Sequence, residues 1–150
     1  MSLSTRPATA EDNERIVLFN LAMARESEGR ELDRGTLARG VDAVLKDPAR
    51  GRYFVAEREG EVLGQLLVTK EWSDWRNGEI WWIQSVYVSK RFRREGIYAR
   101  LHGHVRDLAR QEKAIGLRLY VERHNEPARA TYRSLGMRES DYLLYEELWA

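Results

Sequence analysis

No cysteine occurs among the 150 residues of this chain. That absence excludes disulfides, thiolate nucleophiles and cysteine-ligated metals together. An excess of either charge is also missing: 25 Lys and Arg stand against 24 Asp and Glu, for a formal net charge of +1. So balanced a chain exerts no global pull on nucleic acid or anionic lipid, so neither partner is expected and any electrostatic function must be local. No apolar run approaches the roughly 20 residues that span a bilayer. The opening Met-Ser-Leu-Ser-Thr-Arg-Pro lacks the apolar core of a signal peptide, and a cytoplasmic location is expected. The histidines offer no metal site, because His102 and His104 lie two apart on a predicted helix and point to nearly opposite faces, while His124 reads as a surface residue. Neither a Gly-x-Ser-x-Gly elbow nor a Walker-type phosphate loop is present.

What remains is 43% hydrophobic and 33% charged, the balance of a globular domain, and its length suits one domain over residues 1–150. Thr9 and Asp12 signal a helix start, with Ile16, Phe19 and Met23 continuing an apolar face to about Arg25. A polar stretch from Glu26 to Asp33 leads to a shorter helix from about Thr36 that Asp47-Pro48 ends. Strands are expected at Tyr53–Ala56 and Val62–Thr69 around a Glu59-Gly60 turn. A loop from Trp72 to Arg76 and a tight turn at Asn77-Gly78 precede a long strand, Glu79–Val88. Next come a helix from Gly96 to before Gly116, a strand Leu117–Val121, a helix from Asn125 to Leu135-Gly136 and a final strand Tyr142–Leu148.

Glu79 to Val121 is thus a strand–helix–strand unit, whose two strands should be parallel with a right-handed crossover. Ligands of such units bind at the carboxyl ends of the strands. At that end, after Val88, stands Ser-Lys-Arg-Phe-Arg-Arg-Glu-Gly-Ile-Tyr-Ala-Arg. A helix N-terminus, a glycine and several guanidiniums converge there, an arrangement that holds a phosphate or pyrophosphate. On its own the run Arg91, Arg93, Arg94 also reads as a solvated basic turn.

Three segments in order resemble the GCN5-related N-acetyltransferases (the GNAT family). They are the opening Ser-Thr-Arg-Pro-Ala-Thr-Ala-Glu-Asp, then Val86-Tyr-Val with Arg93-x-x-Gly96, and finally Leu119-Tyr-Val-Glu-Arg-His-Asn125 with Tyr132-x-x-Leu135-Gly136-Met137. The resemblance covers nearly the whole chain. It implies an α/β fold with a mixed, mostly antiparallel central sheet flanked by about four helices, and acetyl transfer from acetyl-CoA to a primary amine without a metal.

By that resemblance the cofactor is held by the segment Val86, Tyr87 and Val88, by the loop Arg93, Arg94, Gly96, Ile97, Tyr98 and Ala99, and by Asn125 and Tyr132. The backbones of Val86 and Val88 would pair with the pantetheine arm as if it were an added strand. Tyr132 would be the general acid, since a phenol of pKa about 10 can protonate a departing thiolate whose conjugate acid lies near 8.5. Without those neighbours Tyr132 reads as a core aromatic and Asn125 as a helix cap. The chain departs from the family at Tyr98, where glycine or alanine is usual. A tyrosine there must point away from the pyrophosphate or cover it.

On the acceptor side, Trp82 and Gln84 occupy strand positions where some family members carry a basic carboxylate. Glu79, Glu28 and Glu31 remain as candidate bases, with water and backbone carbonyls as the alternative. Glu26, Glu28 and Glu31 read as a loop that favours a cationic amine, and equally as a solvated loop. Trp72, Trp75, Trp81 and Trp82 read as core or inter-strand packing, or as the wall of an acceptor pocket. Two other readings stand beside the enzyme: a non-catalytic acyl-CoA-binding module, and an interaction protein whose tryptophan-rich strand forms a homodimer.

Overall fold

The structure, a computed structural model, describes residues 2–150. These form two compact units, one ending at Tyr120 and one running from Val121 to Ala150. The first contains a five-stranded sheet in sequential order: β1 (Ser4–Pro7), β2 (Arg52–Arg58), β3 (Glu61–Ser73), β4 (Gly78–Val88) and β5 (Gly116–Arg118). Helices α1 (Asn13–Glu28) and α2 (Arg34–Lys46) connect β1 to β2, and α3 (Ile97–Gln111) connects β4 to β5. Strands β1 to β4 pair antiparallel, whereas β4 and β5 are parallel, as a helical crossover demands. Helix α4 (Glu126–Ser134) belongs to the second unit. The mixed, mostly antiparallel sheet and the four helices are the α/β fold expected. No helix among the described residues is long and apolar enough to cross a membrane.

The sheet is covered on both faces. Ile97, Leu101 and Val105, spaced four apart on α3, meet Phe54, Leu66, Trp81 and Ile83 on one face. On the other, Ile16, Val17 and Leu21 of α1 pack with Val41 of α2 and Tyr53 of β2. Beside them Phe19 meets Tyr87 with ring centroids 5.2 Å apart. Each such side chain contributes about 1.5–3 kcal/mol on leaving water. The edge strand is tied to the start of α1 by Arg6, which donates to both oxygens of Asp12 at 2.8 and 3.0 Å. Burial pushes the Asp12 carboxyl up, but these bonds and one from the Thr9 N–H outweigh it and hold it below the usual range.

Several boundaries differ from the sequence expectation. Helix α1 runs three residues past Arg25 and ends at Gly29, whose φ of +62° suits its left-handed cap. Glu26 and Glu28 therefore lie on its last turn, not in a loop. Strand β3 continues to Ser73, so Trp72 enters the ladder opposite Glu79 where a loop was expected. Trp81 is wholly buried, but Trp72 and Trp75 are exposed, so core packing does not describe them. Strand β5 stops at Arg118, short of Val121, and no strand forms over residues 142–148 among the described residues. An apolar pattern states what a segment would bury as a strand; it does not supply the neighbouring edge.

Candidate functional site

The carboxyl end of β4 is unusual in two respects. Its pairing with β5 ends at Trp82 opposite Arg118, so among the described residues the stretch from Ile83 to Val88 is laddered only to β3. Within that stretch Gln65 faces Tyr87 and Leu67 faces Gln84, which leaves Ser85 and Val86 together opposite Leu66. This is a β-bulge, and Ser85 adopts a φ of +51° to make it. The bulge is held from outside the strand. The Gln65 side-chain amide donates to the Ser85 carbonyl at 3.0 Å, and nearby the buried Tyr53 hydroxyl accepts from Asn20 at 3.2 Å. Gln65 is fully buried, with an Oε1 that has no hydrogen-bond partner among the described residues. Sequence reasoning missed the bulge. Its signal was the glutamine inside Val62-Leu-Gly-Gln-Leu-Leu-Val68, a polar residue that an apolar strand has no other reason to bury.

After Val88 the chain makes a short 3-10 turn, Lys90–Phe92, and then passes Arg94 at φ +68° and Gly96 at φ +78° before α3 begins. A Cβ built on Gly96 would meet nothing within 4 Å. Glycine is required there by the backbone conformation, and the open space beside it lets a ligand approach the first N–H groups of α3. Ile97 is buried under the helix start and Ala99 is exposed. Tyr98 is turned along the helix, its hydroxyl 3.0 Å from Nδ1 of His102. The departure at this position thus points away from the loop rather than across it.

Arg93 is already engaged. Its Nε donates to the Val88 carbonyl at 2.9 Å, a terminal nitrogen donates to Glu26 at 2.7 Å, and its guanidinium lies 5.2 Å from the Tyr87 ring centroid. The Tyr87 hydroxyl donates to the second Glu26 oxygen at 2.6 Å. Burial pushes the Glu26 carboxyl up, but the bonds from Tyr87 and Arg93 prevail and hold it low. Burial and the Glu26 carboxylate together push the Tyr87 phenol up to about 12. Arg94 forms no ion pair among the described residues, so spare positive charge in the loop rests there. The sequence had placed Arg93 and Glu26 in separate roles.

The carboxylates expected to attract an acceptor have cations of their own: Glu28 lies 3.6 Å from Arg30, and Glu31 accepts from Arg25 at 2.9 Å, all exposed. Glu79 is 3.9 Å from Lys70. Trp82 is half-buried, donates its indole N–H to Glu71 at 2.7 Å, and lies 5.7 Å from the Tyr120 ring. Gln84 donates to the Thr69 hydroxyl. Glu71, which the sequence reading did not name, also receives Arg118 at 3.1 Å. The Trp82 bond, then Arg118, hold its carboxyl below the usual range.

In the second unit, Asn125 caps α4 by accepting the Ala128 N–H at 3.3 Å. Tyr132 is half-buried on the same helix, and burial raises its phenol pKa, which keeps it protonated at neutral pH. The Met137 N–H closes the helix end on the Tyr132 carbonyl at 3.1 Å.

His102, wholly buried on α3, provides a pH test of the scaffold. Arg106, 3.1 Å from Nε2, can only donate, so Nε2 accepts and Nδ1–H faces the Tyr98 oxygen. Burial, helped by Arg106, lowers the imidazole pKa to about 4. The unfolded chain then binds a proton that the folded chain refuses, so the stability is fully present above about pH 6.5 and is lost as pH falls toward 4. The expected loss is about 2 kcal/mol at pH 5 and about 3 kcal/mol at pH 4. Urea unfolding between pH 7 and 5 measures it, and His102→Gln should flatten the slope. A wild-type stability that does not change over that interval would contradict the assigned protonation.

The chain is similar to known proteins over nearly its whole length. A family model described as the acetyltransferase (GNAT) family matches residues 12–137. The crystal structure of "a possible acetyltransferase" from Clostridium difficile 630 shares 44% identity with a TM-score of 0.92, covering 100% of this chain and 99% of that one. A predicted acetyltransferase with acetyl-CoA from Clostridium acetobutylicum shares 17% identity with a TM-score of 0.79, covering 97% and 96%. A ribosomal-protein-alanine N-acetyltransferase from Brucella melitensis biovar Abortus 2308 also shares 17% and 0.79, covering 99% and 100%. No match was found among curated proteins.

Proposed function

We propose, for a chain that belongs to the acetyltransferase (GNAT) family, that it transfers an acetyl group from acetyl-CoA to a primary amine by direct attack in a ternary complex. The observation that carries the reading is the end of β4, where the β5-side edge is unladdered from Ile83 to Val88 and runs into the Gly96 helix start. A pantetheine arm has amides at strand-like spacing, so the Val86 and Val88 backbones can take it as an added strand. The pyrophosphate then meets the N–H groups of Gly96, Ile97, Tyr98 and Ala99, with Arg94 as the charged partner. Arg93 orients Val88 and the loop through Glu26. Asn125 contributes to the same arm.

The amine nitrogen attacks the thioester carbonyl, whose oxygen takes up negative charge and is stabilised by an N–H of the bulged segment. Collapse breaks the C–S bond, and the Tyr132 hydroxyl protonates the departing thiolate. The proton shed by the amine passes through water to restore the phenol. With no cysteine in the chain, the acetyl group has no thiol to rest on.

The acceptor is a cationic or aromatic-bearing amine, held near Trp82 and Gln84 with Glu28 and Glu31 raising its local concentration. Because those two carboxylates are exposed and paired, the effect is modest and falls with salt. A panel of amines assayed for free CoA release tests the reading. Glu28→Lys with Glu31→Lys should raise the KM of the best cationic amine about two- to fivefold at low salt and leave that of acetyl-CoA unchanged. An anionic best acceptor, or a variant that is improved, would remove the acceptor assignment, and no CoA release with any amine would remove the enzyme.

A further inference from the structure

Between Ser89 and Ala99 the chain carries a single carboxylate, Glu95. It stands one residue before Gly96, a poor place for negative charge if a phosphate is to bind there. A carboxylate at that point repels the phosphate directly. It is also drawn to the positive end of α3, whose first N–H groups have no intrahelical partner. Gly96 has no side chain with which to cap them, and the first turn of α3 contains no acidic residue. Left to itself, Glu95 would turn toward those N–H groups and take, as an internal anion, the place a pyrophosphate needs.

Glu95 is turned elsewhere. It accepts from a terminal nitrogen of Arg58 at 3.2 Å, and among the described residues no side chain caps α3. Arg58 is the last residue of β2, 37 positions away. Across the hairpin it stands directly opposite a nearer carboxylate, Glu61, yet no ion pair joins those two among the described residues. Reaching Glu95 leaves the Arg58 Nε buried without a hydrogen-bond partner among the described residues. A desolvated donor left unpaired is destabilising. The ion pair itself offsets little of that, because its side chains are 29% and 43% exposed. Stability therefore does not account for the arrangement, whereas its effect on Glu95 does. Arg93, on the other side of Arg94 in sequence, is held in the same way by Glu26 at 2.7 Å. Both neighbours of Arg94 are thus engaged from outside the loop.

We infer that Arg58 is a positioning residue for the cofactor site: it holds the Glu95 carboxylate away from the N-terminus of α3 and so keeps that anion site open. This deepens the proposed function and rests on its reading of the Gly96 loop as the pyrophosphate site. Arg58 acts through Glu95 alone, which fixes the sign of every substitution.

Calorimetry of CoA binding, beside thermal unfolding of each variant, tests it. Arg58→Met keeps an unbranched stem and removes the guanidinium. It should weaken CoA binding about five- to tenfold, because the freed Glu95 then competes for the helix end. Glu95→Gln should bind CoA at least as tightly as wild type, and the double variant should return to within about twofold of it. Arg58→Lys, which keeps the charge, should retain most of the affinity. An ion pair that merely straps the loop down gives the opposite pattern, in which each single variant weakens CoA binding and the double is no better. That pattern, or wild-type affinity in Arg58→Met, would overturn the inference. Should Arg58→Met fail to fold, Glu95→Gln decides, and weaker CoA binding there would overturn it. Gly96→Val, carried alongside, separates the two readings. If it too binds CoA as wild type does, the loop assignment falls and the inference with it; if it binds weakly while Arg58→Met does not, the inference alone falls.

Discussion

Replacing Tyr132 with phenylalanine is expected to lower the turnover number about 100-fold or more, while the KM for acetyl-CoA changes little. The substitution removes one oxygen and keeps the ring, so α4 retains its packing and its Asn125 cap. On the proposed mechanism, what disappears is the proton donor for the leaving thiolate. The loss should therefore fall on the maximal rate, because a departing thiolate exists only as the transition state is crossed. Burial raises the phenol pKa, so the wild-type enzyme should keep its donor charged with a proton into the alkaline range. Steady-state kinetics against acetyl-CoA, with calorimetry of CoA binding, measures both halves. Wild-type turnover in the phenylalanine variant would mean that the tyrosine only packs and that another group returns the proton.

Gly96→Val is expected to reduce CoA affinity tenfold or more in a chain that still folds. Two effects act together. A β-branched residue at φ +78° carries strain of about 1–3 kcal/mol and pulls the backbone out of the left-handed region. Its side chain also fills the open space beside Gly96 through which, in the proposed site, the pyrophosphate reaches the helix N–H groups. Because that space is empty in the wild type, the variant loses no core packing, and its unfolding transition should shift far less than its affinity. Isothermal calorimetry beside thermal unfolding separates the two. Unchanged affinity in a folded variant would remove the loop from the cofactor site.

Much of this architecture was legible in the sequence because local rules and tertiary demand agreed. The crossover helix showed its apolar face through Ile97, Leu101, Val105 and Leu108, and the glycine before it announced the start. The parallel pairing of β4 and β5 followed from that order alone. Where local rules ran out, the miss had a nameable cause. Glu26 and Glu28 looked like loop because polar residues reveal no face, yet a helix continues until something stops it, here Gly29. Trp72 looked like loop because its neighbours are polar, but pairing with Glu79 holds it in the ladder. The Tyr142–Leu148 segment has the apolar content of a strand, yet no strand forms there among the described residues. The Glu26–Tyr87–Arg93 cluster joins groups up to 67 positions apart, a distance over which no spacing rule operates.

The bulge at Ser85 decides which residues the end of β4 offers to each face. Strand side chains alternate, so counting onward from Trp81 and Ile83, which face α3, would send Tyr87 the same way. One extra residue reverses the parity. Val86 and Val88 keep company with α3, while Tyr87 turns to Phe19 and Glu26 on the opposite side. Deleting Ser85 would therefore do more than shorten a strand. It would drive a phenol toward the α3 core, free the Glu26 carboxylate from one of its two partners, and exchange the inner and outer surfaces of the last residues before the Gly96 loop. The strand end is in this sense a one-residue frame, and the buried Gln65 side chain that holds the Ser85 carbonyl keeps the reading in register.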